Sequence, residues 1–297
     1  MSYDLAIAYR VYPGIAKLPA FYPDNKLKLA ELGLRSLRLA LGDAVRVRMF
    51  ALLDGCPPEY EAMVLRYFPP AHTEIVRLDR IGNAGTFLLQ LKLLLEQPYA
   101  ELVYFAEDDY LYRSNTIAHM LDFAATYPDA DFITPADHPD YFQLPLHTKL
   151  CSQVRFHAGY FWRTVGTTCL TFLTRRSVLR DAARIFRTYR RGNLDASMWL
   201  ALTKAGVRNP FYLLGTALNS RLEAAILAKA WLYGWWHILT ARRKKLWVPT
   251  PSIAAHVERD TLAPGVDWSA IADLVERSEI RDYAPTGSSN GSNSRAS

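Results

Sequence analysis

The sequence predicts an α/β fold with a mostly parallel central sheet flanked by helices, and three observations carry that prediction. Strand-like and helix-like segments alternate through residues 1–135, the signature of right-handed crossovers between parallel strands. Half of the 297 residues are apolar, enough for one large domain or two small ones. Polar and acidic residues stand directly after several of the apolar runs, where ligands of such sheets bind.

The first strand is DLAIAYRVY (4–12), ended by Pro13-Gly14. Residues 25–41 carry leucines at helical spacing and stop at Gly42. A second strand (45–54) ends at Asp54-Gly55 before the Pro57-Pro58 turn. Helix (58–68), strand (73–79), helix (84–97), strand (101–106), helix (115–128) and strand (130–137) follow. Residues 138–165 are polar and aromatic and read as a loop, and 167–186 as a β-branched strand running into a helix. Residues 194–206 form another helix, with Asn193-Leu194-Asp195 supplying its cap and Gly206 its stop. An aromatic segment (224–240), a basic run and a short helix near 268–280 complete the ordered part. The expected division is an α/β half (1–135), a less regular half of the same domain (136–284) and a disordered Gly/Ser/Asn-rich tail (285–297).

The formal net charge of +6 suits an anionic ligand, a nucleic acid or an acidic membrane surface, and selects none of them. Cys56, Cys151 and Cys169 are far apart, which argues against a disulfide framework or structural zinc and for a reducing cytosol. The N-terminus reads as a strand rather than a signal peptide, and Lys229 and His237 interrupt the longest apolar stretch, so no spanning helix is expected. Residues 231–246 combine Trp231, Trp235 and Trp236 with Arg242, Arg243, Lys244 and Lys245. Two readings stand for them: packing on the domain with a solvated basic turn, or peripheral contact with the inner face of a membrane. No DNA- or RNA-binding motif surrounds them, and no nucleic-acid partner is expected.

The central puzzle is Glu107-Asp108-Asp109, three carboxylates at the end of a buried strand. Adjacent ionised carboxylates repel one another unless a cation offsets them. A hard divalent ion takes oxygen ligands such as one or two carboxylates, so a bound cation is one answer to the puzzle. A solvated turn paired with Arg113 is the alternative. Asp54, Asn83 and this cluster all follow predicted strands and should converge on one sheet edge.

The order of these features resembles family 2-like nucleotide-sugar glycosyltransferases with the GT-A fold. The features are an N-terminal βαβαβ, Asp54 after the second strand, Gly82-Asn83-Ala84-Gly85 before a helix, acids ending a later strand, and Asp195 opening a later helix. The resemblance covers 3–215 and reaches His256 more loosely. It implies a metal-dependent, inverting transfer of a sugar from a nucleotide-diphosphate donor to an acceptor hydroxyl, on a glycan or a lipid-linked molecule. By the same resemblance Asp109 is the metal ligand, in an E-x-D variant of the family's D-x-D motif. Glu107 and Asp108 lie on the nucleotide, Glu107 facing the ribose or a metal-bound water. Tyr9, Arg10, Asp54 and Asn83 border the nucleoside, and Asp195 is the base. His256 is a late metal ligand that favours Mn²⁺ over Mg²⁺. Each role has a bland counterpart: a turn residue for Asp54, a helix start for Asn83, a surface side chain for Arg10, a helix cap for Asp195, an ordinary polar residue for His256. The acceptor is expected over 137–162. Two rival functions stand beside this one. One is a sugar nucleotidyltransferase, which calls for a Gly-rich basic loop after the first strand. The other is a non-catalytic carbohydrate- or membrane-binding protein on the same sheet.

Overall fold

The first apolar run, β1 (Leu5–Val11), is buried at every position, as a strand covered on both faces must be. The computed structural model describes residues 3–15, 18–218, 220–281 and 283; the expected tail at 285–297 lies outside them. After β1 comes α1 (Lys26–Leu41), started by Asn25, whose side chain accepts the Lys28 N–H. β2 (Val47–Asp54), α2 (Pro58–Tyr67), β3 (Thr73–Leu78), α3 (Gly82–Glu96) and β4 (Leu102–Glu107) continue the alternation. β1 pairs in parallel with both β2 and β4, and β2 with β3.

Beyond β4 the order is β5 (Tyr110–Tyr112), α4 (Thr116–Thr126), β6 (Phe132–Ile133), α5 (Asp140–Gln143), α6 (Pro145–Thr148), β7 (Val154–His157), β8 (Tyr160–Val165) and β9 (Phe172–Arg175). Then come α7 (Arg176–Phe186), α8 (Asp195–Thr203), α9 (Pro210–Ala217), α10 (Arg221–Thr240), β10 (Leu246–Thr250), β11 (Ala254–His256) and α11 (Trp268–Arg277). Among the described residues nine strands form one sheet, ordered β3-β2-β1-β4-β9-β6-β10-β8-β7. β9 runs antiparallel between β4 and β6, while β10 is parallel to β6 and antiparallel to β8. Aromatic side chains mark the insertion of β9: Phe172 stacks on Phe105 of β4 at 4.5 Å and meets Phe132 of β6 edge-on at 5.8 Å.

The loop expected over 138–165 is not a loop. It holds two short helices and a β7–β8 hairpin that closes the far edge of the sheet. The hairpin turns on Ala158 and Gly159, both at positive φ (49° and 84°), the backbone of a tight two-residue hairpin. Alanine is an uncommon residue at such a φ, so the turn leaves little trace in composition.

Two apolar layers cover the sheet. α1, α2 and α4 supply one, through residues such as Leu34, Met63 and Phe123; α3, α7, α8 and α10 supply the other, through Phe87, Leu179, Trp199 and Leu227. A second, two-stranded sheet pairs β5 with β11 and sets His256 opposite Tyr110, so the chain's late histidine returns to the end of β4.

His237 lies in the second layer, 2% exposed. Burial, with Lys204 and Lys244 adding to it, pushes its imidazole down to about 4. An unfolded histidine titrates near ~6.5, so the unfolded chain takes up a proton through this window that the folded chain does not. The stability this contributes is present above the unfolded pKa and is lost as pH falls. Thermal midpoints should therefore drop between pH ~6.5 and ~4, with a shallower slope in His237→Leu than in the wild type, measured by circular dichroism.

Candidate active site

The three carboxylates at the end of β4 are sent to three different partners. Glu107 stands opposite Arg10 in the parallel β1–β4 register, and the Arg10 guanidinium donates to its Oε1. Its Oε2 accepts from the Thr171 hydroxyl at 2.9 Å. Asp108 turns back under the sheet edge, accepting the Tyr12 N–H at 3.1 Å and pairing with the Lys26 ammonium at 3.0 Å. Asp109 meets His256, whose Nε2 donates to Oδ2 at 3.0 Å. The other oxygen of Asp109, Oδ1, is buried without a hydrogen-bond partner.

Local structure explains the arrangement. The Val257 N–H donates to the Asp109 carbonyl at 2.8 Å, extending the β5–β11 ladder and holding His256 beside the acid. From the other side α1 presses on the same turn at Gly33, where a Cβ would lie 3.1 Å from the Tyr110 carbonyl and 3.2 Å from that of Asp108. Ser36, one turn further along α1, accepts the Tyr112 N–H at 3.1 Å.

The electrostatics differ from acid to acid. Burial pushes the Asp108 carboxyl up to about 6 against the pull of Lys26, and neighbouring Asp109 adds to the rise. Burial also works against charge on Asp109, but His256, then Lys26 and Arg10, outweigh it and hold this carboxyl at about 2. Burial disfavours the His256 imidazolium, yet Asp109, Glu107 and Glu258 together raise its pKa above the ordinary value. Asp109 is thus held firmly in its ionised form.

Asp54, at the end of β2, is 2% exposed and spends both oxygens on the loop before α3, accepting the Ile81 and Gly82 N–H groups at 2.8 Å each. Gly82 adopts φ 75°, which turns its amide into that carboxylate. One residue on, the Asn83 side-chain oxygen accepts from Arg10, and its amide donates to the Tyr189 hydroxyl at 3.0 Å. Arg10 therefore ties the β4 acids to the first turn of α3. Asp195 is the first residue of α8, not its cap: Leu194 holds the cap position, and Asp195 Oδ1 accepts the Ala196 N–H at 2.6 Å.

These groups line one cleft of about 670 Å³. Every predicted site residue except Tyr9 reaches it. Tyr9 is fully buried in the layer under α1 and α2, because neighbours on a strand point to opposite faces and Arg10 takes the cleft side. The structure adds Lys26, Arg80, Cys169, Tyr189 and Glu258 to the lining. Burial pushes the Cys169 thiol well above its ordinary range, so it stays protonated and is no nucleophile. Six of the lining residues are Asp or Glu, against three Lys or Arg and His256.

No group of three or more His, Cys, Asp or Glu side chains among the described residues is arranged to enclose a metal ion. Asp109 and His256 offer two donors, one carboxylate and one imidazole, and the unsatisfied Oδ1 is a lone acceptor in need of a positive partner. Once His256 gives up the Nε2 proton it donates to Asp109, that pair would fit Mn²⁺ or Mg²⁺ taking its remaining ligands from phosphate oxygens and water.

Removing the guanidinium that joins these elements should be costly. Arg10→Ala leaves Glu107 nearly buried without its cation, and the expected loss is about 3 kcal/mol by urea denaturation. Glu107→Gln, which keeps a hydrogen-bonding group toward both Arg10 and Thr171, should cost less than half of that.

No family model and no curated protein matches the sequence. Among solved structures the chain is similar to the galactosyltransferase LgtC in complex with donor and acceptor sugar analogs, at 12% identity and a TM-score of 0.42, over 91% of this chain and 95% of that one. It is similar to residues 1–349 of S. aureus TarS at 12% identity and a TM-score of 0.43, over 76% of this chain and 70% of that one.

Proposed function

We propose that this chain is a metal-dependent, inverting glycosyltransferase that moves a sugar from a nucleotide-diphosphate donor to an acceptor hydroxyl. One observation supports this above the others: an ionised carboxylate with an unpartnered oxygen stands beside a histidine in an acid-rich cleft at the strand ends. A polyphosphate entering that cleft meets net negative charge unless a divalent cation comes with it. Asp109 and His256 are the residues that would hold the ion, and its chemistry is to stabilise the departing diphosphate.

The remaining roles belong to the chain's own residues. Lys26 and Arg80 lie on the lining as cations for phosphate oxygens. Asp54 shapes the Ile81–Gly82 backbone that passes the nucleoside, and Asn83 and Arg10 fix its other wall. Asp195, anchored by the Ala196 N–H, accepts the acceptor's hydroxyl proton. The new bond forms from that oxygen to the anomeric carbon, on the face opposite the breaking bond to the diphosphate.

The test is turnover with a panel of sugar nucleotides, read as nucleoside diphosphate released only when an acceptor is present. Asp195→Asn should lower kcat by roughly 10²–10⁴-fold while donor binding stays within about twofold. Donor binding without turnover in the wild type would instead favour the non-catalytic reading. In that reading Glu107, Asp108 and Asp54 do no more than hold the cleft together through their internal partners.

A further inference from the structure

The outer sides of α9 and α10 carry residues that water-facing helices seldom present. Phe211, Leu214 and Leu218, along α9 and just past its end, are 84%, 61% and 78% exposed. Along α10 the exposed positions include Leu222, Ala225, Ala228, Leu232, Trp235 and Leu239, in steps of three and four that draw one stripe down the helix. The opposite side of α10 is apolar too, and buried, through Ile226, Leu227, Ala230 and Ile238. A helix apolar all round is ordinarily covered all round. Seven of the seventeen large exposed apolar side chains among the described residues fall on these two helices, so the exposure is concentrated in one place.

The same stretch carries the chain's charge. Residues 204–245 contain eight Lys or Arg and one acid, Glu223; the other 255 residues hold 27 basic and 28 acidic side chains. The whole positive excess therefore belongs to this part of the sequence. Glu223 does not offset it at the surface, being 2% exposed and bound to the Leu146 N–H. Arg242, Lys244 and Lys245 are spent on Asp131, Asp181 and Asp129. Lys229 and Arg208 instead bond backbone carbonyls, of Gly192 and Ile238, which leaves their charge in place. Lys149 reaches the Gly215 carbonyl of α9 at 3.0 Å, and Arg184 lies 4.0 Å over the Trp236 ring of α10. An apolar stripe is thus edged by cations.

We infer that α9 and α10 form a docking face for an anionic lipid bilayer, lying in its interface rather than crossing it. Among the described residues no helix is long and apolar enough to cross a membrane. A bilayer offers apolar chains and anionic headgroups at adjacent depths, which matches Leu and Trp flanked by Lys and Arg. Within 231–246 the outward apolar side chains are Leu232, Trp235 and Leu239, whereas Trp231 and Trp236 are half-buried and three of the four cations at 242–245 are paired with acids. The face is one helix from the cleft, since the Ser197 hydroxyl of α8 donates to the Ile226 carbonyl of α10 at 2.8 Å and Asp195 opens α8. A lipid-linked acceptor is the substrate class such an attachment would serve. The attachment itself stands apart from the sugar-transfer reading.

The test is co-sedimentation of the full chain with vesicles of phosphatidylcholine alone and of phosphatidylcholine mixed with phosphatidylglycerol. Binding should require the anionic lipid and weaken in about 1 M salt, where screening acts over ~3 Å. The combined variant Phe211→Ser, Leu218→Ser, Leu232→Ser and Trp235→Ser should lower the partition coefficient at least about tenfold. Leu274→Ser, which removes an exposed leucine of α11, should leave it unchanged. Both variants alter exposed positions only, and unchanged circular dichroism confirms their folds. The inference is overturned if the folded wild type ignores anionic vesicles or if the combined variant binds as well as the wild type. It is also overturned if gel filtration shows a dimer that the combined variant dissolves, which would make the face a contact between copies. Nucleotide binding, measured separately on the same samples, shows whether the cleft is intact when the vesicle result is negative.

Discussion

Three neighbouring carboxylates cannot share one environment, and the cleft is organised by how they are kept apart. Arg10 is the residue on which the separation turns. Its register on β1 sets it opposite Glu107, and its guanidinium also reaches Asn83, so one side chain locks the end of β4 to the first turn of α3. With Glu107 neutralised and Asp108 drawn away by Lys26, Asp109 is left as the acid that faces His256. The β5–β11 pairing and the close approach of Gly33 hold the turn in that arrangement from two sides.

How far the sequence reveals this depends on the range of the interaction. The alternation through β4 is local, in periods of two and 3.6, and the convergence of Asp54, Asn83 and the acids follows from strand direction alone. The entry of β9 between β4 and β6 is decided by contacts such as Phe105 on Phe172, far apart in sequence, and has no local signature. The β7–β8 hairpin stayed hidden because Ala158 takes a turn conformation that composition does not advertise. Tyr9 could have been set aside from the pattern itself, since a strand that points Arg10 at the cleft must point Tyr9 away from it. Lys26 begins an amphipathic helix and looks like any first-turn cation; only the folded turn shows that it pairs with Asp108.

The distribution of charge joins the two surfaces of the molecule. The cleft is acidic although the chain is basic, and the positive excess lies on α9, α10 and their flanks. An acidic cleft selects for a cation before it accepts an anion, whereas a cationic apolar face asks for a surface that is apolar and anionic at once. One chain thus separates the charge that would bind a small ligand from the charge that would hold it at a membrane.

In the proposed function Asp109 and His256 bind a nucleoside diphosphate through a divalent ion. Calorimetric titration of nucleoside diphosphates into the wild type and into Asp109→Asn, each with and without Mn²⁺, tests it most directly. Binding should need both the metal and Asp109, with at least about tenfold weaker affinity when either is removed. Binding of equal strength without metal, or in Asp109→Asn, would contradict it, as would the absence of binding by any nucleotide to the folded protein.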